Sequence, residues 1–424
     1  MGVSSCFSLR ADRHPMSSWS CGTRSKVHPT RRQANLAQLS ARSNKVAREA
    51  TFSQHSLGNN VCQQRSITLG ERRRNKFSAE AVGISTASEH SSSPKPTHLI
   101  LLVNGIFGTA NDWDFARAAI SDEARADPSN TESAFVHASR ANEFFATFGG
   151  IDEAGKRLAS EVKTLRREQP ELTCISIVGH SLGGLISRAA IAHMLDAKAG
   201  TLCGLRPRHF VTLSTPHLGV FTGLPITTWL GLKDSLYSAI APPIGSTVFN
   251  RTGEELLIDD QKTTSQPLLV EMTSDQPDVP YLSALAAFKQ RTAYACVEYD
   301  HLVDWRSATM SQKSDAVPPF SGPRIGRFIL NEVPPPIAPS GAMPTRSEYA
   351  PPLGAQSTND EIADSMAQAL QSVGWHRVDV CFDSASVPYF SHYYMQVTRA
   401  WLHQDGAEVV KHVAELLLSP PQND

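Results

Sequence analysis

Six short apolar runs recur along the chain, and between them apolar residues return every three or four positions. The runs are His98-Leu-Ile-Leu-Leu-Val103, Ala134-Phe-Val-His-Ala138, Cys174-Ile-Ser-Ile-Val178, His209-Phe-Val-Thr-Leu213, Ala293-Tyr-Ala-Cys-Val297 and Val378-Asp-Val-Cys-Phe382. Each is rich in aliphatic or β-branched residues and bounded by Gly, Asp, Pro or Ser, which predicts strands buried on both faces. The spacing predicts helices over 152–169, 182–195, 360–373 and 407–418. In the first, Ala154, Leu158, Val162 and Leu165 form one apolar stripe and Pro170 closes it. Strands alternating with helices give an α/β fold, a mostly parallel sheet of six or more strands with helices on both faces.

Two insertions break the rhythm. Residues 217–291, between the fourth and fifth runs, hold an apolar stretch from Leu218 to Leu232 with Phe221, Trp229 and Leu230, then a polar stretch around Asp259 and Asp260. The apolar stretch reads either as a lid over a site or as plain core. Residues 317–358 are Pro-rich and predict an irregular surface loop.

Charge divides the chain further. The 424 residues carry a formal net charge of −1, but residues 1–76 hold 14 Lys+Arg against Asp12, Glu49 and Glu71, a balance of +11, and the remainder carries −12. Residues 1–94 contain 18 Ser and no long apolar run. An Arg- and Ser-rich, acid-poor leader predicts an organellar transit peptide: chloroplast first, mitochondrion as the alternative, and cytosol if the leader is instead a retained basic arm. Residues 95–424, with 26 Lys+Arg against 36 Asp+Glu, are the size of one large enzyme domain, and their acidic balance argues against nucleic acid as a partner. No run of about 18 apolar residues occurs, so no transmembrane segment is expected. The seven Cys form no CxxC pair, which predicts free thiols and neither a disulfide frame nor a metal site.

Gly179-His-Ser-Leu-Gly183 follows the third predicted strand directly and opens a helix. A G-x-S-x-G in this context is a nucleophile elbow: the turn is so tight that its neighbours must be small, and Ser181 is left with its hydroxyl exposed. A serine hydroxyl is a weak nucleophile and needs a base, a group that orients the base, and donors for the oxyanion. One donor is expected from the N–H of Leu182, and a second from Ile106 in the loop Val103-Asn-Gly-Ile-Phe-Gly108 after the first strand. The acid should follow the serine at a strand end, and the histidine should come last. Position favours Asp300, with Asp304 as its rival, over Glu298, which falls inside the fifth strand, and over Asp259 and Asp260, which the polar insertion should leave solvated. His392 leads for the base, and His403 and His412 read as ordinary surface histidines of the final helix. Phe107, His180 and His217 are candidates to line the pocket.

Beyond these motifs, the stretches LLVNGIFGTANDW, GHSLGGLISRAAI, FVTLSTPHLGV, TGEELLIDDQ, PYLSALAAFKQRTAYACVEYDHLVDWRSATM and WHRVDVCFDSASVPYFSHYYMQV resemble the serine esterase family of the α/β-hydrolase superfamily, in its plant and yeast lipase-like branch. The resemblance spans roughly residues 97–418. It implies an α/β-hydrolase fold and an esterase or lipase with Ser181 as nucleophile, Asp300 as acid and His392 as base, without cofactor or metal. The chain departs from the family at Asp304, where Gly or Pro is usual, and at Tyr393, Tyr394 and Gln396, where the family shows Asn-Asn and a second His.

The expected activity is hydrolysis of carboxylic esters, lipid-like by preference, through an acyl-enzyme. Acyl transfer to an alcohol would use the same triad, and a non-catalytic lipid- or partner-binding protein is the reading from another class. The partner expected is a small ester or lipid. Membrane contact, if any, would be peripheral and rest on apolar surface rather than on charge.

Overall fold

The alternation of buried residues along each apolar run places successive side chains on opposite faces of one seven-stranded sheet. The computed structural model describes residues 95–126, 133–220, 250–260, 266–319, 321, 323–335 and 357–420. They belong to the unit Ser88–Asp424; the other unit, Met1–Ala87, lies outside them, as does the rest of the predicted leader.

In chain order the main elements are β1 (His98–Val103), α1 (Asp114–Ala126), β2 (Ala134–Ala138), α2 (Ile151–Glu168), β3 (Cys174–His180), α3 (Leu182–Met194), β4 (Arg206–Leu213), β5 (Gln290–Cys296), α4 (Trp305–Thr309), β6 (Ile329–Val333), α5 (Asn359–Gln371), β7 (His376–Val380), α6 (Ser391–Tyr394) and α7 (Ala407–Leu418). The strand order is β2-β1-β3-β4-β5-β7-β6. All pairs are parallel except β6–β7, which is antiparallel at the edge. The six predicted runs are the six parallel strands, within a few residues at their ends.

On one face Leu99, Leu101, Ile175, Ile177 and Phe210 pack under α2, α3 and α5. On the other, Ile100, Leu102, Val178, Val211 and Val378 pack under α1 and α7. Period-two alternation covered on both sides is why these strands read as unbroken apolar runs. The parallel strands all run the same way, so the loops after β1, β3, β5 and β7 emerge at one edge, where open α/β sheets bind ligands.

Several expectations are corrected. The Pro-rich segment 317–358 is not wholly irregular, because it contributes β6, whose Ile329 pairs with Val380 and whose Glu332 pairs with Val378. Pro334 and Pro335 end the strand, since proline cannot donate to a ladder. The polar part of the 217–291 insertion is not solvated at Asp260, which is buried and accepts a hydrogen bond from the Leu268 N–H at 2.9 Å. Phe221, Trp229 and Leu230 of the candidate lid lie outside the described residues. The helix α1, which the apolar spacing does not predict, buries only Ala116 and Ile120. Among the described residues no helix is long and apolar enough to cross a membrane.

Candidate active site

Ser181 sits between the last residue of β3 and the first of α3 with φ 55° and ψ −129°. Left-handed backbone at a non-glycine residue is strained and persists only where its surroundings enforce it. Here the surroundings are three glycines. A Cβ on Gly179 would lie 2.5 Å from the Gly184 Cα, one on Gly183 would strike the carbonyl oxygens of Val103 and Asn104, and one on Gly184 would strike Thr215. Strand, helix and the end of β1 therefore close up around Ser181 only because these positions lack side chains.

The loop after β1 lies against the serine. A Cβ on Gly105 would come within 2.9 Å of the Ser181 Cβ and 3.5 Å of its Oγ. The loop turns at once: the Gly108 N–H donates to the Gly105 carbonyl at 3.1 Å, and the Phe107 N–H donates to Thr147 Oγ1 at 3.0 Å. Both are thereby committed, and Ile106, between them and Gly105, is half-buried. Leu182 is buried at the start of α3. Buried Asn104 supports the turn through Nδ2, which donates to Asn142 O at 2.8 Å and Gly105 O at 3.2 Å. Asn142 in turn accepts from Arg157 and donates to Ala154 O. This splint joins the β1 loop to α2.

Asp300, beyond the end of β5, directs its two oxygens differently. Oδ1 accepts the N–H groups of Leu302 at 3.0 Å and Val303 at 3.1 Å. Oδ2 lies 3.0 Å from Nδ1 of His392, beyond the end of β7. Burial alone would push the Asp300 carboxyl up. The His392 ring and the two backbone donors outweigh it and hold the group below its ordinary value, so it is ionised. His392 occupies the four-residue helix α6, and its carbonyl oxygen is 2.9 Å from Nε2 of His180, the residue before Ser181. The two histidine rings are 4.6 Å apart. The elbow, the acid loop and the histidine loop thus meet although they are far apart in sequence.

The rivals are occupied elsewhere. Asp304 is the N-cap of α4 and accepts from the Ser307 N–H at 2.8 Å. Glu298 lies beyond the end of β5 rather than inside the strand, and is exposed. His403 is not a surface residue: it is buried and stacks on Tyr393 at 5.5 Å. His412 is half-buried between the Tyr294 hydroxyl at 2.8 Å and Glu332 at 3.0 Å.

Of the three pocket-lining candidates, one is corrected outright. His217 is 0% exposed; its Nε2 meets Thr212 Oγ1 at 3.1 Å, its Nδ1 faces Arg188 at 3.5 Å, and its ring edge packs on Trp375 at 5.2 Å. It is a core histidine that burial keeps neutral. His180 is buried behind His392 rather than open to a pocket. Phe107 is 48% exposed with φ 56°, and its ring meets Phe144, Phe145 and Phe148 at 5.7, 5.1 and 6.3 Å. Phe145 is 71% exposed. Phe107, on the loop that borders Ser181, thus joins a partly exposed cluster of aromatic rings from the turn Phe144–Phe148.

Residues 93–313 match the family described as "Putative serine esterase (DUF676)", and the chain belongs to that family. It is 25% identical over 228 residues to a putative lipase of Schizosaccharomyces pombe, covering 52% of this chain and 27% of that protein. It is 29% identical over 218 residues to Putative lipase ROG1 of Saccharomyces cerevisiae, covering 51% of this chain and 29% of that protein. The chain therefore spans less than a third of the length of these relatives. Among solved structures it is similar to the mature Bacillus licheniformis lipase BlEst2, at 17% identity and a TM-score of 0.29, covering 50% of this chain and 69% of that one. It is also similar to the phospholipase PlaB from Legionella pneumophila, at 13% identity and a TM-score of 0.31, covering 48% of this chain and 40% of that one. The fold itself is a mostly parallel seven-stranded sheet with helices packed on both faces.

Proposed function

We propose that the chain is a serine hydrolase that cleaves carboxylic esters carrying an apolar acyl chain. The observation that carries this reading is the 3.0 Å contact between Asp300 Oδ2 and His392 Nδ1, in a loop packed against the elbow that strains Ser181.

The Asp300–His392 contact supports an acyl-enzyme mechanism. A carboxylate on Nδ1 holds the imidazole in the tautomer whose Nε2 is free to accept a proton. His392 takes the Ser181 hydroxyl proton as Oγ bonds to the acyl carbon. The carbonyl electron pair moves onto oxygen, where the N–H groups of Leu182 and Ile106 receive the charge. Collapse expels the alcohol, protonated by His392, and leaves an acyl-serine. Water, deprotonated by the same ring, attacks the acyl carbon, and the ring returns that proton to Ser181 Oγ as the acid leaves. Asp300 stays ionised throughout and stabilises the imidazolium that forms twice.

The acyl preference is supported by the Phe107 cluster. The acyl carbon is bonded to Ser181 and its oxygen is held at Ile106, so the chain begins one residue from a 48% exposed phenyl ring. Exposed aromatic surface of this kind gains from covering by an aliphatic chain. The basic, Ser-rich leader supports delivery to an organelle, the chloroplast before the mitochondrion.

The test is hydrolysis of p-nitrophenyl butyrate and octanoate by the parent and by Ser181→Ala, with products identified in the presence of a competing alcohol. Free acid from the parent and none above background from the variant is expected. Turnover by Ser181→Ala at the parent rate would exclude the mechanism. Acyl transfer to the alcohol as the main product would replace hydrolysis by transferase activity.

A further inference from the structure

His392 has an anchoring problem. It lies in a helix of only four residues, Ser391–Tyr394, entered through a 3-10 turn at Pro388–Phe390. So short a helix has no stability of its own. Asp300 holds the imidazole ring, but a carboxylate on Nδ1 leaves the backbone that carries the ring free to shift. A displacement of about 1 Å at a reacting group can cost about 100-fold in rate.

The backbone anchor comes from the nucleophile's own strand. His180 is the last residue of β3, paired with Leu213 in β4, so its position is set by the centre of the sheet. Its Nε2 lies 2.9 Å from the main-chain carbonyl oxygen of His392, 212 residues away, and the contact is buried. We propose that His180 is a positioning residue for His392, donating from Nε2–H to the His392 carbonyl and so tying the base-bearing turn to the strand that ends in Ser181. The inference rests on the proposed serine-hydrolase reading for its catalytic consequence, though not for the bond itself.

A carbonyl oxygen can only accept, so the bond requires the proton on Nε2 of His180. The ring must also remain neutral, because a cation 4.6 Å from His392 would oppose the imidazolium that forms in each half-reaction. The charged groups facing it are His392 and Asp300. Burial, reinforced by the His392 charge, brings its pKa down to about 3, so the ring stays neutral where an esterase would work. A lysine or arginine at this position could make the bond but would bring the opposing charge.

Two variants and one spectrum test this. His180→Leu removes the donor, and His180→Gln restores an amide N–H at the reach of Nε2. Expected is a loss of about 10- to 100-fold in kcat for His180→Leu with KM little changed, and recovery to within a few-fold of the parent for His180→Gln. Parent-like kcat in His180→Leu, or equal impairment of both variants at equal thermal stability, would overturn the proposal. If His180→Leu does not fold, nitrogen-15 spectra of the unsubstituted protein decide. A His180 ring protonated on Nε2 and not titrating between pH 5 and 8 supports the bond; a proton on Nδ1, or titration near pH 6.5, overturns it. The spectrum needs no turnover, so failure of the hydrolase reading and failure of this bond are separable.

Discussion

Oδ1 of Asp300 is taken by two backbone N–H groups, and Oδ2 lies 3.0 Å from Nδ1 of His392. The carboxylate is thus fixed by its own loop before it meets the ring, and cannot rotate away without losing two hydrogen bonds. Asp304, four residues on, caps a helix instead. The two carboxylates should therefore respond differently to the same change. Asp300→Asn should lower kcat by about 1,000- to 10,000-fold with little effect on folding, because an amide permits the wrong imidazole tautomer. Asp304→Ala should lower stability by about 0.5–2 kcal/mol through the lost cap while kcat/KM stays within a few-fold. Steady-state kinetics and urea unfolding on both variants check this; a larger kinetic loss for Asp304→Ala would exchange the two roles.

The elbow glycines and Gly105 should separate stability from activity. An added methyl at Gly184 meets Thr215 and one at Gly183 meets two backbone carbonyls. Overpacking of this kind costs about 1–3 kcal/mol. Gly105→Ala instead presses directly on Ser181, at 2.9 Å from its Cβ. Its activity should fall well beyond what its thermal midpoint predicts. Equal proportional losses in Gly105→Ala and Gly184→Ala would count against a β1 loop that borders the nucleophile.

Chain-length preference should follow the phenylalanines. Phe145→Ser and Phe107→Ser should reduce kcat/KM for p-nitrophenyl octanoate several-fold and leave p-nitrophenyl acetate nearly unchanged, because only the longer chain covers the rings. A uniform loss across all esters would make the cluster a brace for the Gly105–Gly108 turn. Loss only on lipid vesicles would make it a contact with the lipid surface.

Stability should fall on mild acidification, before most carboxylates titrate. His98, which meets Ser176 Oγ at 2.8 Å inside the sheet, and His180 both have pKa brought down to about 3 by burial. In the unfolded chain each titrates near pH 6.5. Below that pH the unfolded state binds protons that the folded state refuses, so their contribution is full above about pH 6.5 and declines as pH falls toward 3. The urea midpoint should drop steadily from pH 6.5 to 5, and the drop should be smaller in His180→Gln. A midpoint flat over that interval would contradict neutral burial of these rings.

What the sequence reveals here follows from the range of the interactions involved. The parallel strands and the helix α2 are visible because local periodicity tracks burial residue by residue. The helix α1 is not, because only Ala116 and Ile120 reach the core and the remaining positions are solvated. The edge strand β6 is hidden by the prolines after it and by its dependence on β7 for pairing. At the candidate site, order and context single out Ser181, Asp300 and His392, and the contact that joins Asp300 to His392 spans 92 positions that no local pattern bridges. The Asn104–Asn142–Arg157 splint carries no local signal, because its bonds join residues up to 38 positions apart. His180 and His217 show the same limit from opposite sides: both read as pocket residues, and long-range contacts place one behind the His392 turn and the other in the core.

In the proposed mechanism Ser181 carries the acyl group. Acid quenching during turnover of p-nitrophenyl octanoate, followed by mass analysis of the peptide containing Gly179–Gly183, measures this directly. An octanoyl mass increment on Ser181, accumulating further in Asp300→Asn only as slowly as that variant reacts, is predicted. An increment on any other residue, or turnover with no acylated peptide when deacylation is slowed by low pH, would contradict the account.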